Sequence, residues 1–520
     1  MMQIIENKAL LFKTRSPHKY SIIPRSKIVS EDNGTFEIAV YWGLDEVRVL
    51  RNLGVKDVQS PITARYNWPG RHKPFAHQKD TASFLTMHRR AFVFNDPGTG
   101  KTFSALWAAD YLMNLKQIRR CLILCPLSIM HDAWISSISK SVIHRSVIAA
   151  HHVQASRRIE MVQGDYEFVV VNYDGLNLIA DEVINDGRFD LVIVDEANAY
   201  KNASTKRWKS LNKILKPETM LWMMTGTPAS QSPVDAYGLA KLVNPSGVPR
   251  FATAWRDKVM NKLTKFKWVP KSGAAQEVYD ALQPAIRYTK EECTDLPPVL
   301  TETREVPLTP QQVKYYRMLK DRMLVQAAGE TITAVNAAAG VSKLLQISAG
   351  AAYTDEHEVV EFDCAPRLNV LLEVLEETSR KVIIFAPFRH SIETIHTFLL
   401  KHNVQAEVIH GDVGVNKRTD IFKRFQTTDA PRVLVIQPQA ASHGVTLTAA
   451  DTVIFYGPVM SVETYLQCIA RADRIGQDST NVTVIHLQGS EIEKRMFKQL
   501  EKRVEGHGIL LSLYREEIGN

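Results

Sequence analysis

Ala91–Thr102 reads AFVFNDPGTGKT, and the chain is organised around this stretch. Ala91–Phe94 are apolar, as a strand covered on both faces of a parallel sheet requires. Asn95–Gly100 is a loop punctuated by Pro97, Gly98 and Gly100, and Lys101 and Thr102 open a helical run, FSALWAADYL. Strand, glycine loop and helix in that order form the setting of a phosphate-binding loop. Gly98 and Gly100 lack a Cβ, so the segment Asp96, Pro97, Gly98, Thr99, Gly100 can curl and aim backbone N–H groups at phosphate oxygens. The helix N-terminus adds partial positive charge. Lys101 can reach the β- and γ-phosphates, and the Thr102 hydroxyl can ligate Mg2+. The general pattern G-x-x-x-x-G-K-[ST] has glycine where this chain has Asn95.

The 520 residues allow about three domains, and their composition is that of an ordinary globular protein. The five cysteines (Cys121, Cys125, Cys293, Cys364, Cys468) form neither a CxxC pair nor an even framework. They read as reduced thiols in a cytoplasmic protein, with Cys121 and Cys125 of CLILC as core thiols rather than a metal site. The N-terminus MMQIIENKALLFKTR has no apolar signal core, and no run reaches membrane-spanning length, so no membrane partner is expected. The net charge is +8. Residues 1–90 hold fifteen Lys and Arg against eight Asp and Glu, an excess of seven. A basic surface favours a polyanion, although a solvated basic face with no partner is equally compatible.

Residues 1–70 alternate in a β-like way (KALLFKT, TFEIAVYW) around a helical patch, LDEVRVLRNLG, and read as a small α+β domain ending at the Pro69-Gly70 turn. Its Lys13, Arg15, Lys19, Arg25 and Lys27 either contact phosphates or form plain surface. Gln78, just upstream of the phosphate loop, can read an adenine edge, because an amide both donates and accepts. A lone glutamine on a helix is more often simply solvated. CLILC, FVVVN and LVIV read as further buried strands. The last ends in Asp195 and Glu196, where open α/β sheets place their ligands. Asp195 can hold Mg2+ through water, and Glu196 can orient and deprotonate an attacking water. LWMM runs into Thr225, Gly226 and Thr227; the two threonine hydroxyls can bond both the acidic pair and backbone groups beyond, relaying the nucleotide state onward, and the alternative is a plain turn. Together residues 71–295 read as a RecA-like P-loop lobe with a helical insertion at about 231–295.

Residues 296–364 read as a linker and helical segment, with Thr309 capping a helix that has Pro310 at its first position. A second α/β lobe follows over 365–520: KVIIF, AEVI, RVLVI and DTVIF alternate with helical runs but bring no phosphate loop. It offers Arg471 and Arg474 at i, i+3, expected on one helical face. Opposite a Mg-nucleotide site, two such guanidiniums are plausible arginine fingers; otherwise they are surface arginines. The expected fold is α/β: two RecA-like lobes plus the small N-terminal domain.

These residues, in this order, resemble the Swi/Snf-like ATPases of helicase superfamily two, from Pro74 to Arg503. The resemblance rests on HQ, NDPGTGKT, CPLS, DEAN, TGTP, IIFAPF, HGDV, ASHGVTLTAADTVIFY and QCIARADRIGQ. It implies that Gln78 reads adenine and that Lys101, Thr102 and Asp195 serve ATP and Mg2+. It also implies catalytic roles for Glu196, Arg471 and Arg474, nucleotide roles for Gly444 and Gln467, and coupling through Thr225, Gly226 and Thr227. DEAN stands where DEAH is commoner, and Thr446 where the family usually has Asn. Short inserts suggest a compact bacterial or phage-type member, located in the host cytoplasm.

The resemblance implies a nucleic-acid-stimulated ATPase that moves along or remodels duplex or branched DNA, with RNA a less favoured partner. A strand-separating DNA or RNA helicase is the alternative enzyme. A nucleotide-gated DNA-binding scaffold with little turnover is the alternative outside enzymes.

Overall fold

The structure, a computed structural model, describes residues 2–518 apart from 56–57, 230, 265–267, 294–296, 330–333, 354–358, 442–444 and 475; side chains are not described at 128, 132, 322–329, 334–338, 441 and 506–518. The chain divides into two compact units, one built mainly on Met1–Val259 and Lys271–Cys293, the other mainly on Thr294–Ile509.

The first unit opens with β1 (Gln3–Ile5), β2 (Ala9–Thr14), β3 (Ser26–Asp32) and β4 (Thr35–Tyr41), an antiparallel sheet in the order β1-β2-β4-β3. Period-two alternation buries Leu10 and Phe12 of β2 and Ile38 and Val40 of β4 on one face. Two helices follow, α1 (Leu44–Asn52) and α2 (Ile62–Arg65). This layer is not a separate body: Leu10, Val40, Trp42 and Ile62 share one core with Ala82, Leu85, Ala91 and Trp107. Polar ties reinforce it. Tyr66 Oη donates to Asp110 Oδ2 at 2.5 Å, and the Trp107 indole donates to Pro69 O at 3.0 Å. The Pro69-Gly70 turn is therefore no boundary between separate cores.

Next come α3 (Ala76–Met87), β5 (Arg90–Val93), α4 (Lys101–Asn114), β6 (Arg120–Cys125), β7 (Val147–Ala149), β8 (Phe168–Asn172), β9 (Phe189–Val194) and β10 (Met220–Met224). The segment expected to be a helical insertion contains helices Ala236–Val243, Ala252–Val259 and Ala274–Ala281. It also contains a hairpin, β11 (Met260–Lys262) with β12 (Trp268–Pro270), and β13 (Ala285–Ile286). That last strand corrects the helical reading: Ala285 and Ile286 pair in parallel with Phe92 and Val93 and complete the sheet at its edge. The order is β13-β5-β10-β9-β6-β8-β7, with every pair parallel. Consequently β5, β10 and β9 are neighbours, and the loops leaving their carboxyl ends emerge side by side, where such sheets bind ligands.

In the second unit β14 (Val299–Glu305) precedes β15 (Ala351–Tyr353), β16 (Val359–Glu361), β17 (Lys381–Phe385), β18 (Ala406–Ile409), β19 (Val433–Ile436), β20 (Ala450–Phe455) and β21 (Val482–Gln488). Six of these form a parallel sheet, β14-β21-β20-β17-β19-β18. Strand β14 corrects the reading of 296–364 as linker, since it pairs with all seven residues of β21. Its side chains are mostly exposed, as an edge strand's can be, so it lacks the apolar run that marks its neighbours. Along β17, Ile383 and Phe385 enter one core while Val382 and Ile384 enter the other, so helices cover both faces. Thr309 Oγ1 accepts from Gln312 N at 3.3 Å and Thr309 N donates to Gln312 Oε1 at 3.0 Å, a capping box at the head of helix Pro310–Gly329. All five cysteines are free; four are buried, and Cys293 is half-buried. Among the described residues no helix is long and apolar enough to cross a membrane.

Candidate active site

The loop after β5 makes its turns at Gly98 (φ +91°) and Gly100 (φ +82°). Both lie in the left-handed region open to glycine. A Cβ on Gly100 would also meet Gln78 Nε2 at 2.1 Å. Lys101, the first residue of α4, folds its ammonium back onto the carbonyls of Asn95 (2.8 Å) and Asp96 (3.2 Å). Thr102 follows it, half-exposed in the first helical turn. Asn95, at the departure from the general pattern, needs no glycine-like φ and has a use for its side chain. Its Nδ2 donates to Thr81 Oγ1 at 2.9 Å and its Oδ1 accepts from Tyr288 N at 3.0 Å.

The loop is braced from the sheet edge by residues the sequence did not mark. Arg287 Nη2 lies 3.0 Å from Asp96 Oδ1, and its Nη1 donates to Phe94 O at 2.7 Å. Asp96 N donates to Tyr288 O at 3.0 Å, and Asp96 Oδ2 accepts from Lys290 N at 3.1 Å. These partners lie more than 190 residues along the chain, beyond any local pattern. Gln78 serves the same loop from α3: its Oε1 accepts from Phe75 N (3.0 Å) and its Nε2 donates to Thr99 O (3.2 Å). Both ends of the amide expected to read adenine are thus engaged within the chain.

Asp195 and Glu196 follow β9. Asp195 is buried; its Oδ1 accepts from Glu196 N at 3.0 Å and its Oδ2 from the Trp134 indole at 3.0 Å. Burial raises its carboxyl above the usual range, opposed in turn by the Lys101 charge and these two N–H donors. Glu196 adopts φ +47°, a left-handed conformation that costs a non-glycine residue on the order of 1 kcal/mol. Tyr173 Oη donates to the carbonyls on both sides of that link, Asp195 O at 2.5 Å and Glu196 O at 3.3 Å.

The Thr225-Gly226-Thr227 loop after β10 touches both neighbours, with a correction to its expected partner. Thr227 bonds Asn198, not the acidic pair: Asn198 Nδ2 donates to Thr227 O (2.9 Å) and Oγ1 (3.1 Å). Thr225 Oγ1 accepts from Thr227 N at 3.2 Å, closing the turn. A Cβ on Gly226 would lie 2.7 Å from Pro97 Cδ, so this loop rests on the phosphate loop. The asparagine of DEAN supplies a neutral, permanent donor at this junction.

In the second unit Arg471 and Arg474 do not share a helical face. Helix Val462–Ile469 ends before them. Arg471 N bonds Cys468 O, a three-residue step, and Arg471 O is taken by Leu447 N at 2.9 Å, so the helical ladder cannot continue. Arg471 is buried, donating from Nε to Gln467 O (3.0 Å) and from Nη1 to Val445 O (3.3 Å). Gln477 Nε2 donates to Ala450 O at 2.8 Å and Ala472 O at 2.9 Å. The two stretches GVTLTAAD and QCIARADRIGQ are therefore laced together. Burial lowers the Arg474 guanidinium pKa. Gln467 is buried on the same helix, and Gly444 lies outside the described residues.

The donor set of the first unit suits a magnesium–triphosphate. It combines a glycine cradle that side chains would fill, an ammonium, a hydroxyl at a helix N-terminus and a buried carboxylate. The family model described as SNF2-related domain matches residues 77–351, and that of the helicase conserved C-terminal domain matches 366–476. The chain is 24% identical to a Drosophila melanogaster SWI/SNF-related matrix-associated actin-dependent regulator of chromatin subfamily A-like protein 1, over 83% of this chain and 55% of that one. It is also 24% identical to an uncharacterized ATP-dependent helicase of Mycoplasma genitalium, over 77% of this chain and 38% of that one. The chain thus spans about half or less of these relatives. The solved Sulfolobus solfataricus SWI2/SNF2 ATPase core in complex with dsDNA aligns over 86% of this chain and 94% of that one, at 20% identity and a TM-score of 0.42.

Proposed function

Because the chain belongs to the SNF2-related family, whose domain model covers more than half of it, we propose that it is an ATP-driven translocase on duplex or branched DNA. The observation that carries this reading is the convergence, at the carboxyl ends of three neighbouring strands, of three adjacent loops: the phosphate cradle, the Asp195–Glu196 pair and the threonine turn. Bound there, ATP·Mg2+ supplies the phosphoryl group whose transfer to water provides the free energy. Lys101 leaves its two carbonyls and neutralises phosphate charge. Thr102 and Asp195 would hold the metal, and a Glu196 carboxylate oxygen would take the proton of the attacking water as ADP leaves the transferred phosphoryl group. Family resemblance implies that Arg471 and Arg474 would supply charge that compensates the transferring phosphoryl group.

Asn198, two residues past Glu196, bonds Thr227, and Gly226 lies against Pro97. A change at the nucleotide would reach the threonine turn by these two contacts. Closed and open states that differ in DNA affinity would turn this into directional stepping. The exposed cations of residues 1–70, Lys13, Arg15, Lys19, Arg25 and Lys27, add phosphate contacts.

The test is ATP turnover with blunt duplex, single strand, fork, four-way junction and RNA side by side, together with triplex displacement on blunt duplex. Stimulation by duplex and displacement of the third strand are expected, both abolished in Lys101→Ala. Unwinding of tailed duplex without triplex displacement would establish a strand-separating helicase instead. Nucleotide-dependent DNA binding with negligible turnover would establish a scaffold.

A further inference from the structure

Trp134 differs from five other tryptophans in what its indole bonds. The indoles of Trp42, Trp107, Trp208, Trp222 and Trp255 each donate to a main-chain carbonyl, the usual way to satisfy a buried N–H. The Trp134 indole donates instead to a carboxylate, Asp195 Oδ2, at 3.0 Å. The side chain is fully buried, in the same core as β6 and β9. It rides on a π-helical turn, Met130–Ile135, that follows β6. Because β6 pairs with β9, the ends of the two strands lie together, and a wide turn after one can reach the residue that follows the other. Such turns recur at functional sites because they rotate a side chain out of α-helical register.

We propose that Trp134 is a positioning residue for the metal carboxylate: its indole N–H fixes the orientation in which Asp195 meets Mg2+. The inference rests on the nucleotide-site reading above. Asp195 Oδ1 is held by Glu196 N and Oδ2 by Trp134, one donor on each oxygen. That pair sets the rotation of the carboxylate and leaves each oxygen capacity for one further contact. Donors behind a metal ligand govern its affinity for the metal, and their loss costs about tenfold or more.

The test compares wild type with Trp134→Phe, and with a benzothienyl analogue of tryptophan at position 134, in which sulfur replaces the N–H at nearly constant volume. Binding of a fluorescent ATP analogue is titrated with Mg2+, and binding of the same analogue is measured in EDTA. Both variants are expected to need about tenfold more Mg2+ for half-saturation, while metal-free affinity changes less than about twofold. The analogue keeps the core filled should phenylalanine fail to fold. An unchanged Mg2+ requirement beside a lowered Tm would show a merely structural tryptophan and overturn the proposal. A wild-type chain whose nucleotide binding ignores Mg2+ would overturn the site reading as well.

Discussion

Replacing Arg287 with methionine asks what the phosphate loop costs to hold. Methionine keeps much of the apolar stem but removes the ion pair with Asp96 and the bond to Phe94 O. Breaking a buried ion pair from one side costs about 3–5 kcal/mol. Asp96 retains 20% exposure and keeps the Lys290 N–H, so part of its charge is still screened. That places the loss near the lower figure, about 3 kcal/mol, or a fall in Tm of about 5 °C for a unit of this size. Asp96→Asn removes the other partner, and the double variant completes a thermodynamic cycle. We expect a coupling of about 2 kcal/mol in thermal or urea unfolding, within the range for residues in contact. ADP affinity should fall in Arg287→Met, because binding would then have to order the loop. A coupling below about 0.5 kcal/mol, with ADP affinity unchanged, would refute the idea that the sheet edge braces the loop.

Gly226→Ala places a Cβ against the rigid ring of Pro97. ATP turnover should drop by about 100-fold through displacement of the loop, with Tm nearly unchanged; wild-type turnover would show that the two loops are not in working contact. Arg474→Ala should lower turnover more than ATP affinity. Arg471→Ala should do the same and also lower Tm, because Gln467 O and Val445 O lose their donor; equal Tm values would contradict that lacing. His486 is buried, bonded to Tyr465 Oη at 2.9 Å, and burial pushes its imidazole down to about 4. It stays neutral in the folded chain while the unfolded chain takes up the proton near pH 6.5. Its contribution is therefore complete above that pH and lost on acidification toward 4, about 2 kcal/mol by pH 5. His486→Phe should lose less Tm than wild type between pH 7 and pH 5; equal losses would refute the assignment.

Much of this was written locally. Buried parallel strands announce themselves as apolar runs, and β6, β8, β9, β17 and β19 were legible for that reason. The phosphate loop and the Thr309 cap were legible because glycine, proline and hydroxyl positions act within a few residues of themselves. Edge strands β13 and β14 were not: a two-residue strand carries no period, and a mostly exposed one carries no apolar signal. The arginine pair was misread because a spacing of three looks helical until another segment claims the carbonyl, as Leu447 claims that of Arg471.

The amino-acid sequence by itself marked the groups proposed to do the chemistry: the glycine cradle, the ammonium at a helix start, and the two carboxylates at the end of an apolar run. Only the tertiary structure decided who holds them. Arg287 reaches Phe94, at the start of the phosphate loop, across 193 residues, Trp134 reaches Asp195 across 61, and Asn198 reaches Thr227 across 29. A reacting group must have one particular composition, and composition is written in order along the chain. A supporting hydrogen bond needs only a donor at the right place in space, and that place exists only once the sheet has brought β5, β10, β9 and β6 together.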